Sequence, residues 1–109
     1  MTTAPPLFRQ VDCLQLPVPN LKAGLAFYQN ALGHELLWRT DDAAGLRLPD
    51  SDTELVLQTQ RPQPEVDLLV ESVEVAAQRI VAAGGRLLAG PFDIPVGRGV
   101  VIADPFGNA

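Results

Sequence analysis

Residues 11–33, VDCLQLPVPNLKAGLAFYQNALG, read as a strand followed by a helix. Leu14, Leu16 and Val18 alternate with Cys13, Gln15 and Pro17, the period of two expected of a strand with one face against a core. From Asn20 the period changes. Leu21, Leu25, Tyr28 and Leu32 fall on one helical stripe, Asn20 suits an N-cap, and Gly33 stands where a left-handed C-terminal cap belongs. The helix is expected on the Leu14, Leu16 and Val18 face, which leaves Cys13 and Gln15 on the opposite face, free to line a cleft.

The pattern recurs 52 residues on. Val66, Leu68 and Val70 fall over Leu14, Leu16 and Val18, Ser72 over the capping Asn20, and Gly84, one residue early, near Gly33. Val73, Ala77 and Ile80 supply a second helical stripe. Glu65 becomes the twin of Cys13 and Asp67 the twin of Gln15. A repeated supersecondary unit means two modules within one domain.

These residues carry a family resemblance. The apolar strand ends in Pro19-Asn20-Leu21, the Phe27-Tyr28 pair leads to Ala31-Leu32-Gly33, Val73-Glu74 opens a helix ending at Ala82-Ala83-Gly84, and Asp104-Pro105-Phe106-Gly107-Asn108 closes the chain. In this order and spacing the sequence resembles the vicinal-oxygen-chelate superfamily, which groups glyoxalase I, bleomycin-resistance proteins, extradiol dioxygenases and fosfomycin-resistance enzymes around paired βαβββ modules. The resemblance implies an α+β fold, with two βαβββ modules forming a curved mixed sheet around a cleft. Module one would cover 8–60, a proline-stiffened linker 61–64 and module two 65–109, all within one domain spanning 1–109. It leaves function open, because the family includes isomerases, lyases, dioxygenases, transferases and non-catalytic drug binders.

Strands are expected at 35–40, 45–48 and 54–60, completing the first module, and at 66–70, 86–89 and 99–103 in the second. The helix of the second module covers 73–83, and 90–97 reads as irregular. The sequence stops at Ala109, so the last strand that the repeat demands is missing from it. An open sheet edge at residues 100–102 then suggests a homodimer.

At 109 residues the chain suits a single compact domain. Eight basic against 13 acidic residues give a net charge of −5, and no basic run is present, which argues against nucleic acid as a partner. Residues 1–10 lack the pattern of a secretion signal and no apolar run approaches the ~20 residues of a membrane span, so a cytoplasmic protein without membrane contact is expected. One cysteine permits no internal disulfide.

In catalytic relatives, the resemblance implies, a divalent metal is held by one side chain from the first and one from the last strand of each module. Those positions fall here on Cys13, on Val56 or Leu57, on Glu65, and beyond Ala109. Val and Leu cannot coordinate, and Glu54 reaches the second position only by a two-residue shift. Cys13, Glu54 and Glu65 are therefore weak metal candidates, too few for a centre that normally has three protein ligands. No catalytic residue is assigned, since His34 follows a helix cap and the two serines occupy a turn and a cap.

A lining suited to binding remains: Cys13, Gln15, Arg47, Gln58 and Asp67 on strand faces opposite the helices, joined by Trp38 and Arg98. Arg47, between Leu46 and Leu48, is expected to project toward Cys13, Gln15 and Gln58 and to contact an acidic group, with Trp38 or Phe106 as an apolar wall. Its competing partners would be Glu54 or Asp67. The expected function is a small-molecule binder without a cofactor, resembling the bleomycin-resistance type, for a ligand with acidic or aromatic character. The alternative is a glyoxalase-like metal-dependent lyase, isomerase or dioxygenase.

Overall fold

The computed structural model describes residues 5–95 and 97–109. They form two compact units, one of residues 10–69 and one of residues 5–9 with 70–109. The first holds β1 (Gln10–Pro17), α1 (Leu21–Leu25), a π-helical turn (Ala26–Ala31), β2 (Leu36–Arg39), β3 (Ala43–Arg47), β4 (Glu54–Gln58) and β5 (Glu65–Leu69). Its single mixed sheet runs β2-β3-β4-β1-β5. β1 is parallel to β4 and antiparallel to β5, with Cys13 opposite Glu54 on one side and opposite Asp67 on the other.

The helix lies where the alternation of β1 requires. Leu21 and Leu25 are buried with Ala44, Leu46 and Leu57, and Leu16, Val18, Tyr28, Leu36 and Leu55 pack around them. Asn20 Oδ1 accepts from the Ala23 amide at 2.8 Å, satisfying one of the free donors at the helix start. Asn20→Ala should cost about 1 kcal/mol in thermal unfolding, whereas Lys22→Ala should be nearly neutral.

One expectation needs correction here. The stripe over residues 21–32 is not continuous α-helix, because from Ala26 the chain winds more widely, and Leu32 turns out to solvent. A π-helical turn inserts extra rotation per hydrogen bond, so a position eleven residues after Leu21 no longer shares its face. Gly33 at φ +84° then ends the element in the left-handed region.

The second unit holds α2 (Val73–Ala82), β6 (Arg86–Ile94) and β7 (Gly97–Ala103), the strands forming an antiparallel hairpin. Ser72 Oγ accepts from the Val75 amide at 3.2 Å and caps α2, whose Ala76 and Ala77 are buried. β6 corrects a second expectation, since the stretch read as irregular from Gly90 mostly continues the strand. Gly90 and Pro91 look like breakers, but register shifts between Leu87 and Phe92 take up both while the ladder resumes at Phe92, opposite Gly99.

Candidate functional site

The strand registers place the polar side chains of the first unit in rows, on the face of the sheet that α1 leaves uncovered. Asp67, Cys13, Glu54 and Arg47 stand side by side on β5, β1, β4 and β3. The next row is Glu65, Gln15, Val56 and Gly45, with Trp38 beyond Gly45 on β2. Neighbouring strands are about 4.8 Å apart, so each row spans on the order of 15 Å.

Asp67 organises one end. Its Oδ2 accepts from the Gln15 side-chain amide at 2.7 Å and from the Cys13 thiol at 3.0 Å. Arg61, from the segment between β4 and β5, donates to Gln15 Oε1 and lies 3.5 Å from Glu65 Oε1. The two carboxylates share the face at i and i+2 of β5, and one proton suffices for both. A side-chain hydrogen bond with Asp67, then burial, then the Asp67 charge push Glu65 up to about 7, against the pull of Arg61. Burial acts to raise Asp67 as well, but hydrogen bonds from Glu65, Cys13 and Gln15 and the Arg61 charge together outweigh it and hold Asp67 below the ordinary carboxylate range.

These shifts have opposite consequences for stability. A carboxyl raised in the folded state stabilises the fold most below its ordinary value of 4.5, and that contribution is lost as pH rises through about 7. Asp67, lowered, contributes above its ordinary value of 3.8 and loses the contribution as pH falls. At this partly exposed site screening leaves on the order of 1 kcal/mol. Chemical denaturation should therefore show stability falling between pH 5 and pH 8 by about that amount, and Glu65→Gln should flatten the slope.

Cys13 is a protonated thiol. Burial first, then its hydrogen bond to Asp67 and the negative charges of Asp67 and Asp12, push it well above the ordinary thiol range. Its reaction with a disulfide reagent at pH 8 should be much slower than that of a free thiol, and Asp67→Asn should speed it.

The other end of the face is built on Trp38. The sequence left the face of Trp38 open; the register puts it over Gly45, and its indole Nε1 donates to Glu54 Oε1 at 2.6 Å. A Cβ at residue 45 would sit 2.1 Å from that nitrogen, so only glycine lets the ring lie there.

Arg47 departs from expectation. Its Nε pairs with Glu35 Oε2 at 2.8 Å, not with Glu54 or Asp67, and it rims a shallow depression of about 200 Å³ with Leu37, Ser51, Asp52 and Thr53. The reason is register, since Arg47 is two strands from Cys13 while the start of β2 brings Glu35 beside it, with the Arg47 amide donating to the Glu35 carbonyl. Gln58 is 2% exposed and its amide is committed to the following turn, donating to the Arg61 carbonyl and accepting from the Gln60 and Arg61 amides. Arg98 belongs to the other unit, where it pairs with Glu74 at 2.8 Å and Asp93 at 3.4 Å. Arg61 was missed, read only as part of a linker. Its place four residues before Glu65, as the one cation in that segment, is the signal that marks it.

The residues do not fit a family-type metal. The Cys13 proton is engaged by Asp67, Glu54 Oε1 by the Trp38 indole, and Glu65 Oε1 by Arg61, while Val56 and Leu57 bring no donor. Among the described residues no three His, Cys, Asp or Glu side chains converge as a metal would require. No helix of the described residues is long and apolar enough to cross a membrane.

Known proteins are similar to this chain in sequence and in fold. An uncharacterized protein of Mycolicibacterium smegmatis is 32% identical over 104 residues, covering 91% of this chain and 88% of its own. Among solved structures, a hypothetical protein from Bacillus halodurans C-125 superposes with a TM-score of 0.73 at 18% identity, over 85% of this chain and 83% of the other. Methylmalonyl-CoA epimerase from Mycobacterium tuberculosis does so with a TM-score of 0.70 at 18% identity, over 89% and 80%. At that identity the two structures show the shared fold. The family model described as glyoxalase/bleomycin resistance protein/dioxygenase superfamily matches residues 10–109, the repeat, the caps and the closing Asp-Pro-Phe-Gly-Asn turn included, and the chain belongs to that superfamily.

Proposed function

We propose that this chain binds a small organic molecule on the exposed polar face of its five-stranded sheet, between the Asp67 cluster and Trp38. The observation that carries the reading is the arrangement around Asp67, a half-buried carboxylate held by a thiol and an amide from the adjacent strand. Ordering polar side chains costs conformational entropy that this open face does not recover through burial. Such a pre-set group, with a flat indole across the same face, suits a ligand that offers a hydrogen bond at one end and an aromatic or apolar body at the other.

Acidic ligands remain part of the proposal through Arg47 and Arg61. A ligand carboxylate at Arg47 would replace Glu35, whose exposed ion pair is worth no more than about 1 kcal/mol. Screening small aromatic acids and amides by thermal shift, followed by calorimetry, tests this. The best hit should lose at least tenfold in affinity in Asp67→Asn. Affinity for an acidic hit unchanged within twofold in Arg47→Ala would remove Arg47 from recognition, and no effect of Asp67→Asn or Trp38→Ala on any hit would sink the site.

One observation favours a second reading, an isomerase- or lyase-type activity within the same family. The hydrogen bond with Asp67 and burial push Glu65 up to about 7, a range that suits a group taking a proton from a bound carbon acid and returning it. Incorporation of solvent deuterium into a bound ligand, followed by NMR, separates the two: a binder returns the ligand unlabelled.

A further inference from the structure

Residues 5–9 run along α2 in the opposite direction, and between them lies a cavity of about 240 Å³. Near one end Arg79 Nη2 donates to the Pro5 carbonyl at 2.9 Å, and near the other Arg9 Nε lies 4.0 Å from Glu71 Oε1. Pro5, Pro6 and Leu7 supply one wall, and the exposed Val75 lines the helix side. Ser72, Val75 and Arg79 stand at i, i+3 and i+7 of α2, so they share one helical face. Proline has no amide hydrogen, so Pro5 and Pro6 offer this space no backbone donor. Every lining residue belongs to the second unit, which makes the cavity separate from the ligand face proposed above.

The cations here lack the partners that arginines elsewhere in the chain have. Arg79 is half-buried and, among the described residues, meets no carboxylate; its hydrogen bond goes to the neutral Pro5 carbonyl. A guanidinium taken partly out of water is normally paired, as Arg98 of the same unit is with Glu74 and Asp93, because an uncompensated charge is costly to desolvate. Arg9 is little better served. At 4.0 Å its contact with Glu71 is too long for a hydrogen bond, and the Glu71 side chain is 82% exposed. The Ser72 hydroxyl is engaged within the helix, accepting from the Val75 amide and donating to Glu74, which leaves recognition to the two arginines. In a chain of net charge −5, a cavity set between two weakly paired arginines runs against the average surface.

We infer that this cavity binds a small organic acid, with its carboxylate on Arg79 and Arg9 and its apolar body against Pro5, Pro6, Leu7 and Val75. The planar donor fork of arginine matches a carboxylate, and the bond to Pro5 fixes Arg79 Nη2 while leaving Nε and Nη1 for the ligand. Size limits the class. At about 30 Å³ per water-sized group the space holds about eight such groups, below the roughly 300–1,000 Å³ typical of sites for drug-sized molecules. Glu71 is the one carboxylate on the lining, and its charge competes with that of the ligand for Arg9.

Cyclohexanecarboxylate titrated into the full chain, followed by calorimetry and amide NMR, tests this. It should bind with a Kd of about 1 mM or tighter, and the neutral cyclohexanecarboxamide about tenfold more weakly or worse. The shifted amides should centre on Leu7, Arg9, Val75 and Arg79. Arg79→Gln can still donate to the Pro5 carbonyl but carries no charge, so it should weaken binding by about tenfold while far-UV circular dichroism stays unchanged. Arg79→Lys should lose less, and Glu71→Gln should tighten binding by about twofold or more because it removes the competing charge. Residues that merely shaped the wall would not give this order. No binding at about 10 mM, equal binding of acid and amide, or affinity unchanged within about twofold in Arg79→Gln overturns the inference. Shifts confined to Cys13, Gln15 and Asp67 overturn it as well, while leaving the sheet-face reading standing.

Discussion

Leu57→Ala should lower the stability of this protein by about 2–5 kcal/mol and its melting temperature by roughly 10 °C or more. Leu57 is 0% exposed, at the centre of the cluster that joins α1 to the sheet, with Leu21, Leu25, Ala44 and Leu46 also buried there. Truncation removes three methylene-sized groups from contact with both layers. The backbone of β4 cannot close the gap, because it is bonded to β1 on one side and β3 on the other. Gly24 adds to the constraint, since a Cβ at that position would lie 3.1 Å from Leu57 Cδ1 and 3.0 Å from Val18 Cγ1, so helix and sheet are already at closest approach. Leu68→Ala on β5, 40% exposed, is the matched control and should cost less than about 1 kcal/mol. If the two variants melt together, the core is not where the cluster places it.

Much of this architecture was legible because it rests on periodicity and caps. The alternation of Leu14, Leu16 and Val18 identified the helix-facing side of β1, and Asn20, Gly33, Ser72 and Gly84 marked helix ends that depend only on local backbone chemistry. The repeat also brought β1 and β5 together as corresponding strands. It did not reveal how they pair. Their antiparallel ladder sets Cys13 opposite Asp67 and Gln15 opposite Glu65, so the repeat twins Cys13 and Glu65 are diagonal neighbours, as are Gln15 and Asp67. Register is a long-range property decided by which edges meet, and a period of two records the face of a residue without its partner.

The same distinction explains the fate of the candidate binding residues. Cys13, Gln15 and Asp67 were assigned to one face and make direct hydrogen bonds there. Arg47 was assigned to that face too, but its partner Glu35 lies in the approach to β2, where the strand start is decided by the end of the π-helical turn. Gln58 carried no signal of its structural role. An amide that caps the turn just after its own strand looks, in sequence, like any other polar residue on an alternating face.

Gly45→Ala should remodel the other end of the proposed ligand face, and the single tryptophan of the chain reports it without a label. The added methyl would stand 2.1 Å from Trp38 Nε1 and 2.4 Å from Cε2, and 2.7 Å from Glu54 Oε1. Neither β3 nor β4 can retreat, since Gly45 lies opposite Val56 in a continuous antiparallel ladder. The indole must therefore leave. It is 39% exposed already and has solvent to swing into, which breaks its 2.6 Å hydrogen bond to Glu54. Overpacking of this kind costs about 1–3 kcal/mol. Fluorescence emission should shift to the red and become more accessible to a soluble quencher. Trp38→Phe, which keeps a ring over Gly45 without the indole donor, should lose about 1 kcal/mol or less from the hydrogen bond while leaving the glycine position unstrained. Ligands found on this face should bind Gly45→Ala more weakly if they reach Trp38 and unchanged if they stop at Gln15, so the same variant measures how far along the row a bound molecule extends. An unshifted emission spectrum in Gly45→Ala would mean that the indole does not rest on the sheet at all.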